Sequence, residues 1–441
     1  MSETTPSPDA RAEQATETES DAATPASDSA QAQAQAPAPA PARPRRELLA
    51  WRNAVFVIFL LSGLSIASWV ARVPTVRDDL GLELDAVGYV IFGISAGSII
   101  GLVCSALLLA RLGARHGMVL SLSLVAAGLV LVGVGTTLVP SAPLVFFGLA
   151  VFGFGNGSVD VMMNVEGAAS EKEIRKTLMP LMHAFFSFGT VVGAGLGALA
   201  SALEVPVFWH LSIIAALIVA VAVVAVRFVP LREELGDDTH GAESHKPWRT
   251  RLRENLAVWG DVRLLLIGVI MLGMSFAEGS ANDWLALAVV DGHGMDNTSG
   301  ALIFGVFVTS MAIGRIIGGP VLDRFGRVPV LRVCATIGVL GLLLFILGSA
   351  SWMLVLGTVL WGLGCALGFP VGMSAAADDP RRAAARVSAV AVIGYCAFLV
   401  GPPLLGVLGH AFGILNALLV LLALMVLAGL CAPAARERRA A

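Results

Sequence analysis

Apolar residues run along this chain in blocks, and polar residues gather between the blocks. Twelve of the blocks approach the roughly 20 residues that a helix needs to cross the hydrocarbon of a bilayer. They predict helices at 51–71, 86–110, 117–138, 143–165, 181–203, 207–229, 263–290, 298–322, 329–349, 352–374, 386–409 and 411–431. One long polar stretch, 230–262, separates the first six from the last six. The organisation this predicts is a tail over 1–46, a six-helix bundle over 47–229, a linker over 230–262, a second bundle over 263–431 and a short tail over 432–441.

Two of the blocks carry polar residues at helical spacing. In "GFGNGSVDVMMNVEG" (153–167), Asn156, Asp160 and Asn164 stand at i, i+4 and i+8. Four residues turn a helix by about 400°, so the three share a face. In "GMSFAEGSANDWLA" (273–286), Glu278 and Asn282 share a face, Asp283 is turned by about 100°, and Trp284 follows. An ionisable group inside a bilayer costs several kcal/mol, which makes Asp160 and Glu278 functional candidates.

Composition fixes the solvent. With 56% hydrophobic and 14% charged residues, the chain has too much apolar surface for one aqueous core, so lipid is expected around it. The first 42 residues, including "QAQAQAPAPAPA", lack core-forming side chains and are expected to be disordered. If the N-terminus is cytoplasmic, 25 of the 29 Lys and Arg fall in inside loops and adjoining tails, against Arg72 and Arg77 outside. That bias predicts a multi-pass protein of the cell membrane with both termini cytoplasmic. The five cysteines lie in apolar segments without metal spacing and read as buried hydrophobes. No nucleotide loop, His-rich metal set or nucleophile with a nearby base is present. An enzyme is therefore not expected, nor a cofactor, a metal or a nucleic-acid partner. The expected partners are a small-molecule solute, protons and lipid, and the chain is expected to act as a monomer.

The two halves also repeat. Residues 98–120 align with 315–331 when Gly113 is set on Gly326, and "FGFGN" (152–156) aligns with "WGLGC" (361–365). Parallel six-helix repeats place a substrate site between the halves near the midplane. Gly319-Pro-Val-Leu-Asp323-Arg324-Phe-Gly326-Arg327 resembles the G-x-x-x-D-R-x-G-R loop of the major facilitator superfamily. The resemblance covers about 50–431. It implies an all-α membrane protein of twelve transmembrane helices in two six-helix bundles related by a pseudo-two-fold axis. It also implies a cytoplasmic gate at Asp323, Arg324 and Arg327. The first-half copy, "LLARLGARHG", has Ala110 where the Asp belongs. Arg315, placed at the inner end of helix eight, and Arg72, placed at the outer mouth beside Asp78 and Asp79, complete the candidate gate set.

The fourth helix is similar to that of the fucose-permease group, whose "ETAANP" has an acid before an Asn-Pro. Here "DVMMNV" puts Asp160 four residues before Asn164, with Asp for Glu and no Pro. "FAEGS" with Glu278 is similar to that group's "GAEVG". The resemblance implies a proton-coupled role for the fourth-helix carboxylate. Helix one, however, has no acid and offers Ser62, Ser65, Trp69 and Arg72. No Lys or Arg is expected near the midplane, which disfavours anionic solutes. The expectation is a secondary transporter of a small neutral, sugar-like solute, with Asp160 or Glu278 carrying a proton. Trp69, Asn156, Asn164, Asn282, Asp283 and Trp284 are expected to line the site. The rivals are efflux of cationic or amphipathic compounds and a sensor that keeps the transporter fold.

Overall fold

The structure is a computed structural model that describes residues 44–176, 178–231, 258–379 and 383–437. The expected disordered tail and most of the expected linker lie outside the described residues, as do Arg381 and Arg382. The first six spans are α1 (Arg45–Val70), α2 and α3 (84–112 and 114–133), α4 (Ala142–Ile174), α5 (Met179–Ala202) and α6 (Val207–Ala225). The last six are α7 (Val262–Leu287), α8 (Asn297–Phe325), α9 (Arg327–Leu347), α10 (Ser351–Cys365 continued by Gly368–Ala376), α11 (Ala383–Phe412) and α12 (Leu419–Cys431). A short helix, Val73–Leu80, caps the turn after α1.

Eleven helices among the described residues are long and apolar enough to cross a membrane, one fewer than the twelve blocks. The difference lies at Gly113. The backbone runs through Leu84–Gly133 as one hydrogen-bonded helix whose only non-helical residue is Gly113, at φ 70° and ψ 169°. Its partner in the repeat, Gly326, has φ 77° and ψ 166° between α8 and α9. A side chain is strained at such positive φ, and glycine is not. The same residue thus makes the same bend in both halves.

Packing repeats the symmetry. In the first half α1 packs on α5 and α3 on α6; in the second, α7 packs on α11 and α9 on α12. The halves meet where α2 lies along α11 and α5 along α8. The small-residue stripe of α5 serves the first half itself. Cβ atoms added at Gly189 or Gly193 would lie 2.1 or 2.6 Å from the carbonyl oxygens of Leu60 or Leu64 in α1.

Prolines mark where backbone carbonyls are set free. Proline lacks the N–H that would bond four residues back. In α11, Pro402 frees the carbonyl of Phe398, and Ser95 of α2 donates its hydroxyl to that oxygen at 2.9 Å across the seam. In α10, Pro370 frees the carbonyl of Ala366, and the helix breaks between Cys365 and Gly368.

Candidate functional site

The α4 stripe is divided between two tasks. Ser62 of α1 donates to Asn156 Oδ1 at 3.1 Å, which ties the top of the stripe to its own half. Asn164 Nδ2 donates to the backbone oxygen of Asp160 at 2.8 Å and lies 3.5 Å from the Asp160 carboxylate. Asp160 itself is half-buried and within electrostatic reach of Tyr395 on α11, in the other half. Among the described residues no Lys, Arg or His forms an ion pair with it. Among the described residues Asp160 makes no hydrogen bond to His183 on the neighbouring α5. His183 instead packs edge-on against Phe59, with ring centroids 5.2 Å apart.

On the facing half, Arg315 corrects the expectation that no cation approaches the middle. Its Nη2 donates to Glu278 Oε1 at 2.7 Å. Its Nε points to the Ala366 carbonyl that Pro370 leaves free, at 3.4 Å. The helix explains the shift: α8 runs on to Phe325, so Arg315 lies ten residues from its end rather than near it. The guanidinium therefore ties α7, α8 and the break in α10 together, and it lies within electrostatic reach of His183 in the first half. Glu278 and Arg315 neutralise each other, and among the described residues neither Asp160 nor Asp283 forms an ion pair.

Asn282 and Asp283 are half-buried on α7, and among the described residues neither side chain takes a hydrogen bond. Trp284 has no exposed surface, and among the described residues its Nε1 has no partner. Trp69 is 2% exposed and belongs to the same buried core. The indoles pack behind the polar faces in this conformation. Glu166, also buried, accepts from Trp51 Nε1 at 3.0 Å, which fixes the end of α4 to the start of α1.

The gate residues behave differently at the two ends of the molecule. At the end that carries the termini, Asp323 and Arg324 are exposed, and among the described residues neither forms an ion pair. Arg327 is anchored within its half, donating to Asp378 at 2.8 Å and to Ser374 at 2.8 Å. At the opposite end Arg72 takes neither Asp78 nor Asp79 as a hydrogen-bond partner. It donates to Ser201 Oγ at 3.1 Å and to the Val205 carbonyl at 2.7 Å, so it braces the turn between α5 and α6. The latch at that end is made by residues outside the expected set. Arg77 pairs with Asp291 of the second half at 3.1 Å, and Asn297 donates to Asp78 at 3.0 Å. Beside them Gly88 approaches α11 so closely that an added Cβ would lie 2.7 Å from the Pro402 oxygen. This end of the seam is shut. One signal for the latch was in the sequence: Arg77 defies the inside bias of positive charge, and such a charge needs a partner.

The sequence model described as Major Facilitator Superfamily matches residues 54–318 and 284–441. The chain belongs to the Major Facilitator Superfamily. It is 28% identical over 375 residues to an uncharacterized transporter, y4wD, of Sinorhizobium fredii, covering 83% of this chain and 93% of that one. It is 25% identical over 377 residues to the membrane protein MosC of Rhizobium meliloti, covering 85% and 88%. Among solved structures it resembles a variant of the nucleoside transporter NupG, with TM-score 0.71 at 15% identity over 88% of this chain and 99% of that one. It also resembles the E. coli fucose:proton symporter FucP, with TM-score 0.59 at 16% identity over 89% and 100%. The chain is thus an all-α membrane transporter of this superfamily. Polar groups approach each other across the seam, Asp160 of α4 and Tyr395 of α11 among them.

Proposed function

We propose that this transporter moves a small polar, uncharged solute, sugar-like in its hydroxyl content, together with protons. The observation that carries the reading is Asp160: a carboxylate at mid-helix, flanked by Asn156 and Asn164, within reach of Tyr395 in the other half and, among the described residues, without a paired cation. Carboxylates inside membrane helices without a cation partner are the usual proton carriers of transporters. Arg315 is paired with Glu278, so among the described residues this cation is not free for an anionic solute. Asn156, Asn164, Asn282 and Asp283 supply the amide and carboxylate partners that hydroxyl groups need. The solved neighbours include a nucleoside transporter, a fucose:proton symporter and an organic anion transporter, so the uncharged cargo rests on the site and not on them.

The excess of Arg and Lys at the termini end supports cytoplasmic termini in a cell membrane. The latched end then faces outward, and Asp323 and Arg324 are exposed at the cytoplasmic end. Rocking of the halves would break the Arg77–Asp291 latch and close the Asp323–Arg327 side. The test is uptake of a panel of labelled neutral sugars and polyols by cells expressing the protein. The reading predicts accumulation of at least one, abolished by a protonophore. Accumulation that survives the protonophore overturns it. Asp160 and Asp283, both without paired cations, favour a second reading, export of cationic compounds. Resistance to a cationic drug in a pump-deleted host, with no sugar flux, would establish that instead.

A further inference from the structure

The chain has two tyrosines, and they differ in surroundings. Tyr89 is 56% exposed on α2, and Tyr395 of α11 is half-buried. Seven residues turn a helix by about 700° and eleven by about 1,100°, so Tyr395, Pro402 and Gly406 share one face of α11. That face presses on α2 of the other half. A Cβ added at Gly88 would lie 2.7 Å from the Pro402 oxygen and 3.2 Å from the Gly406 Cα.

Two sets of contacts fix the depth of Tyr395. Ser95 of α2 bonds the Phe398 oxygen, and α2 and α11 run in opposite directions, so Ser98 stands level with Tyr395. Along its other side α2 runs with α4. Cβ atoms added at Gly153 and Gly157 would each lie 2.1 Å from an α2 oxygen, of Ile94 and of Ser98 respectively. Gly157 is therefore at the level of Tyr395, and Asp160 is one turn further on. Here α2 reads Ser95-Ala96-Gly97-Ser98, side chains too small to screen α11 from α4. The phenol and the carboxylate lie within electrostatic reach of each other, as this register requires.

Nothing else competes for either group. Among the described residues the Tyr395 hydroxyl makes no hydrogen bond, and Asp160 has only the Asn164 amide, at 3.5 Å. The other helices packed on α4 bring no rival charge to this level. On α1, α2 and α3 the charged residues lie toward the ends, with Arg52, Asp85, Arg111 and His116 the nearest to mid-helix. On α5, His183 packs against Phe59.

We infer that Tyr395 is a positioning residue for the proton on Asp160, its hydroxyl donating across the seam to the carboxylate once the proton has left. A hydroxyl bonds an ionised carboxylate about twice as strongly as a neutral acceptor. With α2 against α11, the contact therefore favours release of the proton from Asp160 to water, while the tyrosine keeps its own. Parting α2 from α11 withdraws the phenol, and uptake is favoured instead. The proton site thus changes its affinity as the halves rock, which gives the transport reading above a coupling step; the inference rests on that reading.

The experiment is an infrared pH titration of the full chain in nanodiscs, following the protonated-carboxyl band that Asp160→Asn removes. Tyr395→Phe keeps the ring and its packing, and should move the midpoint of that band up by about one pH unit or more. Tyr89→Phe should leave it in place. Gly88→Leu, which forces α11 from α2 with Tyr395 intact, should move it upward as well. A midpoint unmoved or lowered in Tyr395→Phe overturns the inference, as does one unmoved in Gly88→Leu. The titration needs no solute, so those results leave the transport reading standing. If Asp160→Asn removes no band, Asp160 holds no proton, and the transport reading falls together with the inference.

Discussion

At the residue scale, Glu278 and Arg315 are the pair whose separation has the plainest cost. Their side chains are 14% and 28% exposed, between a surface pair worth up to about 1 kcal/mol and a buried one that costs about 3–5 kcal/mol to break. Glu278→Gln leaves Arg315 charged and without its carboxylate. A loss of roughly 1–3 kcal/mol is expected, read as a lower melting temperature, with uptake and exchange falling together. The double variant Glu278→Gln with Arg315→Gln should recover most of the stability, because neither charge is then stranded. Asp160→Asn should act differently. Folding and solute exchange should persist while accumulation is lost, since only the proton site is removed. The Asp160 stripe was legible in the sequence because helical spacing alone puts three residues on one face. The Glu278–Arg315 pair was not. Depth along a helix is uncertain by about a turn, some 5.4 Å, and a long guanidinium stem adds further reach.

At the element scale, each half is assembled by the same devices, and most were visible as residue types. Gly113 and Gly326 make the same bend, as their alignment implied. The prolines of α10 and α11 were visible too, but not which side chain would take each freed carbonyl. That depends on how the halves dock, as Ser95 on Phe398 illustrates. Gly88 provides an element-level prediction. A leucine there would meet the α11 backbone, so Gly88→Leu should hold this end of the seam open. Cysteine labelling of positions along the seam at this end would rise, and transport would fall. Asp261 caps α7, accepting from the amides of Arg263 at 2.9 Å and Leu264 at 3.3 Å, and Arg386 of α11 pairs with it. Burial alone would raise its carboxyl, but Arg386 and those two amides hold it below the usual aspartate range. A carboxyl that is more acidic folded than unfolded stabilises the fold above its unfolded value. That stability is lost as pH falls through the folded one. Melting temperature should therefore drop below about pH 4. Asp261→Asn, which can still cap but no longer pairs, should flatten that acid limb.

At the scale of the whole molecule, the two ends differ in their contacts across the seam. One is latched by Arg77–Asp291 and Asp78–Asn297, and the other leaves Asp323 and Arg324 exposed. The helix count, the two halves and the superfamily loop could be read from the chain. The latch pairing could not, because it joins loops more than 200 residues apart. Arg77→Ala should shift the population toward an opening at that end, seen as a longer spin-label distance across it. The shift is bounded by the free energy of the latch contacts it removes.

In the proposed mechanism solute and proton cross together through the Asp160 face. It is tested most directly by the pH outside weakly buffered proteoliposomes as neutral sugars and polyols are added one at a time. The account predicts alkalinisation with at least one of them, absent when Asp160 is asparagine. Measurable solute flux with no proton movement for any compound would contradict it, and would leave Asp160 a substrate-binding or structural carboxylate.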